Sequence, residues 1–223
     1  MLAEHTELMI PQPISIGDVD NDAFLLMDYL EEGNRPQDFW EQFGRSLARL
    51  HRCTQESFGL DHDNYIGSLP QSNRKHASWS EFFVTERLEA QLKRARDNDK
   101  FGGDVLLRME RLFHRMDGLF PVEPPSLIHG DLWSGNFLCA ANGAASIFDP
   151  AIYFGHREMD IGMTKLFGGF DPRFYSAYNK EWPLADDWET RVDVANLYPL
   201  LVHVNLFGGG YLSQVRSVLT RFT

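Results

Sequence analysis

Phe39, Phe43, Leu47 and Leu50 recur every three or four positions, which lays one apolar stripe along a helix, and Asn34 and Pro36 stand ahead of it as start signals. The pattern before this helix is different. Residues 14–17 and 23–30 are short β-prone runs, a polar turn at 18–22 joins them, and 31–35 reads as a linker. Beyond the helix, 58–73 is rich in Gly, Asp, Asn, Ser and Pro, the composition of an ordered loop. Ser78-Trp79-Ser80-Glu81 matches a capping box, so a second helix is predicted from there to about residue 96. A third is predicted over roughly 104–117, before Pro121, Pro124 and Pro125 break the chain.

The middle of the chain alternates differently again. Leu127-Ile128 is a short apolar run, and 137–139 and 145–148 flank Ala141-Asn142-Gly143-Ala144, where Asn-Gly signals a tight turn and therefore a small hairpin. The chain beyond this hairpin reads as mostly helical. Residues 186–207 are long, apolar and periodic, with Pro199 expected to kink or break them, and 211–222 form a last helix. Strands, helices, a hairpin and more helices in that order make an α+β chain.

Composition narrows the setting. With 223 residues the chain has room for one large domain or two small ones. It contains no run of about 18 apolar residues, so no membrane span is expected. Its start lacks a basic segment followed by an apolar one, so no signal peptide is expected and the default location is cytoplasmic. The net charge of −11 argues against nucleic acid as a partner, which would need a basic face, yet leaves room for a phosphate-bearing ligand held through a metal ion. Cys53 and Cys139 are far apart and form no metal-type pair, so free thiols are expected.

The residues with chemistry cluster around the hairpin. Asp131 and Asn136 precede its first strand and Asp149 follows its second, so a loop, a hairpin and a second loop return two carboxylates and an amide to one mouth. Phosphoryl transfer uses such a set: a carboxylate takes the proton of the attacking hydroxyl, and oxygen ligands hold Mg²⁺ on the nucleotide phosphates. His129-Gly130-Asp131-Leu132-Trp133-Ser134-Gly135-Asn136 is similar to the kinase catalytic loop H-R-D-L-x-x-x-N, with Gly130 in place of Arg. That resemblance implies Asp131 as catalytic base and Asn136 as metal ligand. Asp149, in Asp149-Pro150-Ala151, sits where the metal-binding Asp of D-F-G sits. Gly at the second position is the habit of aminoglycoside and choline kinases. His129 is expected to pack and orient the loop, and Asp160 to hold it by hydrogen bonds. Glu158 is expected either to do likewise or to face the substrate.

Further segments carry a narrower resemblance. These are Leu47-Ala48-Arg49-Leu50-His51, Asn64-Tyr65-Ile66-Gly67, Pro70-Gln71-Ser72-Asn73, Tyr153-Phe154-Gly155-His156-Arg157-Glu158, Leu166-Phe167-Gly168-Gly169-Phe170 and Leu201-Val202-His203-Val204-Asn205-Leu206-Phe207-Gly208. With Trp133 inside the cassette, the chain resembles the fructosamine kinase (ketosamine-3-kinase) family. The resemblance implies a protein-kinase-like fold with a mostly helical C-terminal lobe over 34–223 and a remnant of the N-lobe sheet and hinge over 1–33. It implies ATP and Mg²⁺ as cofactors and a small-molecule ketosamine or glycated amine as substrate. In the better-known members the hydroxyl phosphorylated is at C3 of a fructosamine or ribulosamine, and the phosphate then eliminates and frees the amine. It also implies that the backbone of Met27, Asp28, Tyr29 and Leu30 meets the adenine. Trp133 and Trp79 are each open to stacking on a sugar or to packing in the core.

The sequence departs from the family pattern at its start. A full member carries about sixty residues ahead of the position of Met1, with a phosphate-covering loop, a phosphate-binding Lys and its Glu partner, and none is found in this sequence. Weak activity or none is therefore expected of this chain, and an exposed sheet edge is expected to invite pairing with another chain. Two other readings stay open: an aminoglycoside- or choline-type kinase, and a non-catalytic binding module derived from a kinase. Oligomeric state is not legible.

Overall fold

The computed structural model describes residues 1–20 and 22–222. Helix α2 (Phe39–His51) is its axis. The apolar stripe predicted for it is buried, with Phe39, Phe43, Leu47 and Leu50 all at or near zero exposure. Asp38, and not Asn34 or Pro36, stands at its N-terminus, where its backbone carbonyl and its carboxylate accept from Gln42. Helix α7 (Pro172–Glu181) lies against α2. The two come close because residue 44 is Gly: a Cβ there would sit 2.2 Å from the Phe174 carbonyl oxygen. Around this contact Trp40, Phe43, Phe137, Phe170 and Phe174 form one aromatic cluster.

Among the described residues the strands form four two-stranded antiparallel sheets. Strands β1 (Pro13–Val19) and β2 (Asp22–Met27) are the hairpin expected near the start, although its turn falls partly on residue 21, outside the described residues. Strands β3 (Asn64–Ile66) and β4 (Leu69–Gln71) form a tight hairpin inside the predicted loop. Three-residue strands leave no periodicity to read. Strands β6 (Phe137–Cys139) and β7 (Ala145–Ile147) are the predicted central hairpin. Its turn is longer than a two-residue Asn-Gly link and closes through Ala140 and Ala144, with Gly143 at φ +83°. Strand β5 (Ser126–Ile128) pairs with β8 (Tyr153–Gly155), a strand where helix was expected. This pairing returns the chain beyond the hairpin to the entrance of the cassette.

The helices keep the predicted order with local corrections. The N-cap half of the capping box forms, Ser78 Oγ accepting from the Glu81 amide at 3.3 Å. The helical run from Trp79 to Asp97 contains a π-helical stretch, Phe83–Glu89, which lets Phe83, Glu86, Arg87 and Leu88 all turn inward. Helix α5 (Gly103–Phe113) ends short of the predicted bound. The long segment after 186 is two helices, α8 (Trp188–Ala195) and α9 (Leu197–Phe207), and the break is at Asn196, not Pro199. Pro199 lies in the first turn of α9, where a missing N–H costs nothing. Helix α10 (Tyr211–Phe222) closes the chain as predicted. Among the described residues no helix is long and apolar enough to cross a membrane.

Candidate active site

The cassette begins where β5 ends, and it is held from behind by helix α6 (Glu158–Leu166). Asp160, fully buried, accepts from the His129 amide at 2.7 Å and the Gly130 amide at 2.9 Å. His51, from the end of α2, lies 3.1 Å from the same carboxylate and takes its other hydrogen bond from the Tyr178 hydroxyl at 2.7 Å. Burial alone would raise the Asp160 carboxyl, but these donors, His51 first, hold it below the usual range. Gly130 has φ +82°, and a Cβ there would lie 2.1 Å from the Ala151 carbonyl oxygen. No side chain fits, which is a local reason for Gly where protein kinases carry Arg. His129 is buried and its pKa is pushed down by that burial. Its Nε2–H donates to the Phe148 carbonyl at 3.0 Å, and its Nδ1 accepts from the Asp131 amide at 3.3 Å. It is a neutral orienting residue, as expected.

The cassette turns back through hydrogen bonds from the Trp133 amide to Asp131 O and from the Asn136 amide to Trp133 O. Asn136 Nδ2 is the meeting point of the three predicted residues. It donates to Asp131 O at 2.9 Å and Asp131 Oδ2 at 3.1 Å, and lies 3.5 Å from Asp149 O. With the amide nitrogen so engaged, Asn136 Oδ1 has no hydrogen-bond donor among the described residues. The Asp149 carboxylate has no hydrogen-bond donor or ion-pair partner among the described residues. Asp131 is pushed up to about 6, first by burial and then by the neighbouring Asp160 and Asp149 charges, against the lowering effect of Asn136. Like charges gathered without a protein cation fit a divalent ion, and two protein oxygen ligands suit Mg²⁺, which keeps waters and phosphate oxygens. Among the described residues no three His, Cys, Asp or Glu side chains are placed to hold a metal by themselves.

The other candidates separate into those at this mouth and those away from it. Met27 ends β2 and, with Ile10, Leu25, Phe148, Asp149 and Pro150, lines a cavity of about 190 Å³. The Asp28 amide already donates to Gln12 O, whereas the backbone groups of Tyr29 and Leu30 have no protein hydrogen bond among the described residues. Residues 31–33 are stitched to the central hairpin through Ala141 N to Glu31 O and Gly33 N to Cys139 O, which fixes this segment relative to the cassette. Trp79 is buried and stacked on Phe83, 4.9 Å between ring centres, so it belongs to the core. Trp133 is 37% exposed, folds over Gly135 and meets Phe167 edge-on. Phe167 leads on to His203 and Tyr211, which continues the run of ring contacts from Trp133. Glu158 pairs with Arg191 at 2.7 Å and serves the fold. A cavity of about 490 Å³ between Arg74, Glu86, Met109 and Phe113 includes none of these groups. Sequence reasoning missed that His51 and Tyr178 hold Asp160.

The family model described as fructosamine kinase matches residues 1–223. A protein of Vibrio parahaemolyticus named "Probable ketoamine kinase" is 39% identical over 99% of this chain and 76% of its own length. The chloroplastic protein-ribulosamine 3-kinase of Arabidopsis thaliana is 38% identical over 97% of this chain and 67% of its own. A solved Thermobifida fusca protein assigned as a fructosamine-3-kinase superposes with a TM-score of 0.87 at 36% identity, covering 98% of this chain and 76% of that one. An aminoglycoside phosphotransferase at 12% identity shares the fold, with a TM-score of 0.63. The chain thus spans about three quarters of the length of the Vibrio and Thermobifida relatives. With the cassette, the returning Asp149 and this kinase-like fold in place, the chain belongs to the fructosamine kinase family of phosphotransferases.

Proposed function

We propose that the site transfers the γ-phosphoryl group of ATP to a sugar hydroxyl of a ketosamine of the fructosamine or ribulosamine type. The observation that carries this reading is Asn136 Nδ2 tying Asp131 to the Asp149 loop, while the Asp149 carboxylate is left without a protein partner among the described residues. Mg²⁺, when bound with the nucleotide, supplies positive charge on the phosphate oxygens. Asn136 Oδ1 and Asp149 would hold it. The backbone of Tyr29 and Leu30, continuing from Met27 and Asp28, pairs with the adenine edge. Asp131 accepts the proton of the sugar hydroxyl as its oxygen bonds to the γ-phosphorus and ADP leaves, and a carboxylate poised near 6 is ionised but still basic at neutral pH. Trp133 presents an exposed ring face to the sugar.

Residues 1–33 are read as the hinge-bearing part of a smaller lobe and 34–223 as the larger lobe. Within the described residues no Lys or Arg hydrogen-bonds to or pairs with Asp131, Asn136 or Asp149. The free thiols Cys53 and Cys139 fit a reducing, cytoplasmic setting. The test is ATP consumption with ribulose-lysine, fructose-lysine, choline and an aminoglycoside in parallel. A ketosamine is expected to be the preferred acceptor, and turnover of the hydroxylated amines with no ketosamine turnover would overturn the choice of substrate.

A further inference from the structure

Asp149 is a non-glycine residue at φ +52°, a conformation that persists only where the surroundings over-determine it. The restraint falls on the next residues. The Ala151 amide donates to His129 O at 2.9 Å. On the other side, Gln71 Nε2 donates to Ala151 O at 3.1 Å and Asn64 Nδ2 to Ile152 O at 2.8 Å. Gln71 Nε2 also donates to Asn64 Oδ1 at 2.8 Å, which locks the two amides to one another. Tyr198, from the first turn of α9, donates its hydroxyl to Gln71 Oε1 at 2.7 Å and so fixes which end of that amide faces Ala151. Gln71 and Tyr198 are almost completely buried, so no water competes for these bonds. Behind them Arg87 Nη2 donates to Asn73 Oδ1, and Asn73 Nδ2 donates to Asn64 Oδ1.

We infer that Gln71, oriented by Tyr198, is a positioning residue for the metal-holding carboxylate of Asp149. The β3–β4 hairpin acts through the backbone beyond Asp149. It pins two successive carbonyls just after Asp149 and so sets where that carboxylate points. The outer residues around a metal site commonly govern its affinity in this way, at about 10–100-fold per residue. The inference rests on the reading of Asp149 as a metal ligand, and its test separates the two.

The experiment is titration of the full chain with Mn²⁺ in the presence of ATP, followed by electron paramagnetic resonance, together with ATP binding in EDTA. Gln71→Met keeps the volume and removes the amide, and Tyr198→Phe removes only the hydroxyl and keeps the buried ring. Each is expected to weaken Mn²⁺–ATP binding by about tenfold and to leave metal-free ATP binding unchanged. The double variant is expected to lose no more than Gln71→Met alone, because the two act through one amide. A merely structural role would weaken both kinds of binding together. Mn²⁺–ATP affinity unchanged in both variants, or equal losses with and without metal, would overturn the inference while leaving the metal site intact. No Mn²⁺–ATP binding by the unaltered chain, or binding that survives Asp149→Asn, would overturn the metal reading and the inference with it.

Discussion

The Asp131 carboxyl is pushed up to about 6, first by its partial burial and then by the Asp160 and Asp149 charges nearby, so its charged form is costly in the folded chain. The folded value lies above that of an unfolded aspartate, near 4. Folding free energy is therefore lost as the pH rises from about 4 through 6, and stays lost above it. Asp131→Asn avoids that loss and keeps an oxygen for Asn136 Nδ2. Its thermal midpoint is expected to exceed that of the unaltered chain above pH 7, by the equivalent of about 1–3 kcal/mol. The gain should disappear below about pH 4, and a gain independent of pH would count against the burial argument. Asp160 carries the opposite sign. Its pKa is held down, so its contribution is present at neutral pH and is lost only as acid protonates it. Asp160→Ala would leave the His129 and Gly130 amides buried without an acceptor, and a destabilisation of about 2–5 kcal/mol is expected in denaturant titration. The meeting of Asp131, Asn136 and Asp149 at one mouth was legible because local spacing encodes it. Gln71, Tyr198 and His51 were not, because their partners are far away in sequence and only the fold brings them together.

Some elements meet only because a glycine lets their backbones approach. Gly44 in α2 is the clearest instance. Helix propensity favours Ala there by about 1 kcal/mol, yet a methyl would press on the Phe174 carbonyl of α7, a backbone atom that cannot rotate away. We expect Gly44→Ala to cost a net of about 1–2 kcal/mol, read as a fall of several degrees in the thermal midpoint, and an unchanged or higher midpoint would show that α7 shifts freely. The elements with a strong period, α2 and α10, were read closely from the pattern. The short β3, β4, β5 and β8 were not, because three residues carry no alternation to detect. Pro199 misled for a related reason: it is a strong breaker inside a helix and a neutral residue in the first turn, and only the break at Asn196 decides between the two.

Across the whole molecule the polar and apolar surfaces are unevenly finished. The large helical body closes on a continuous core, while the β1–β2 hairpin leaves Ile14, Ile16, Val19, Phe24, Leu25 and Leu26 exposed. A two-stranded hairpin is marginal by itself in water, and its free edges are templates for another strand. The chain is expected to associate with rising concentration through this hairpin. Sedimentation velocity should show a concentration-dependent mass that falls to the monomer when Ile14→Lys and Ile16→Lys are combined, and a monomer at every concentration would exclude the hairpin as an interface. The body that carries the cassette does not depend on that contact, since α6, the end of α2 and the β3–β4 hairpin hold it from the inside.

Asp131 is proposed to take the proton of a ketosamine hydroxyl during transfer from ATP. The most direct measurement is the rate of formation of phosphorylated ribulose-lysine, monitored by phosphorus NMR, for the unaltered chain and for Asp131→Asn at pH 7.5 with Mg²⁺ and ATP. Measurable product is expected from the unaltered chain, with a loss of at least about a hundredfold in the variant, the lower end of what general-base catalysis contributes, and with Mn²⁺–ATP affinity retained. Equal rates in the two chains, or no phosphorylated ketosamine from either, would contradict it.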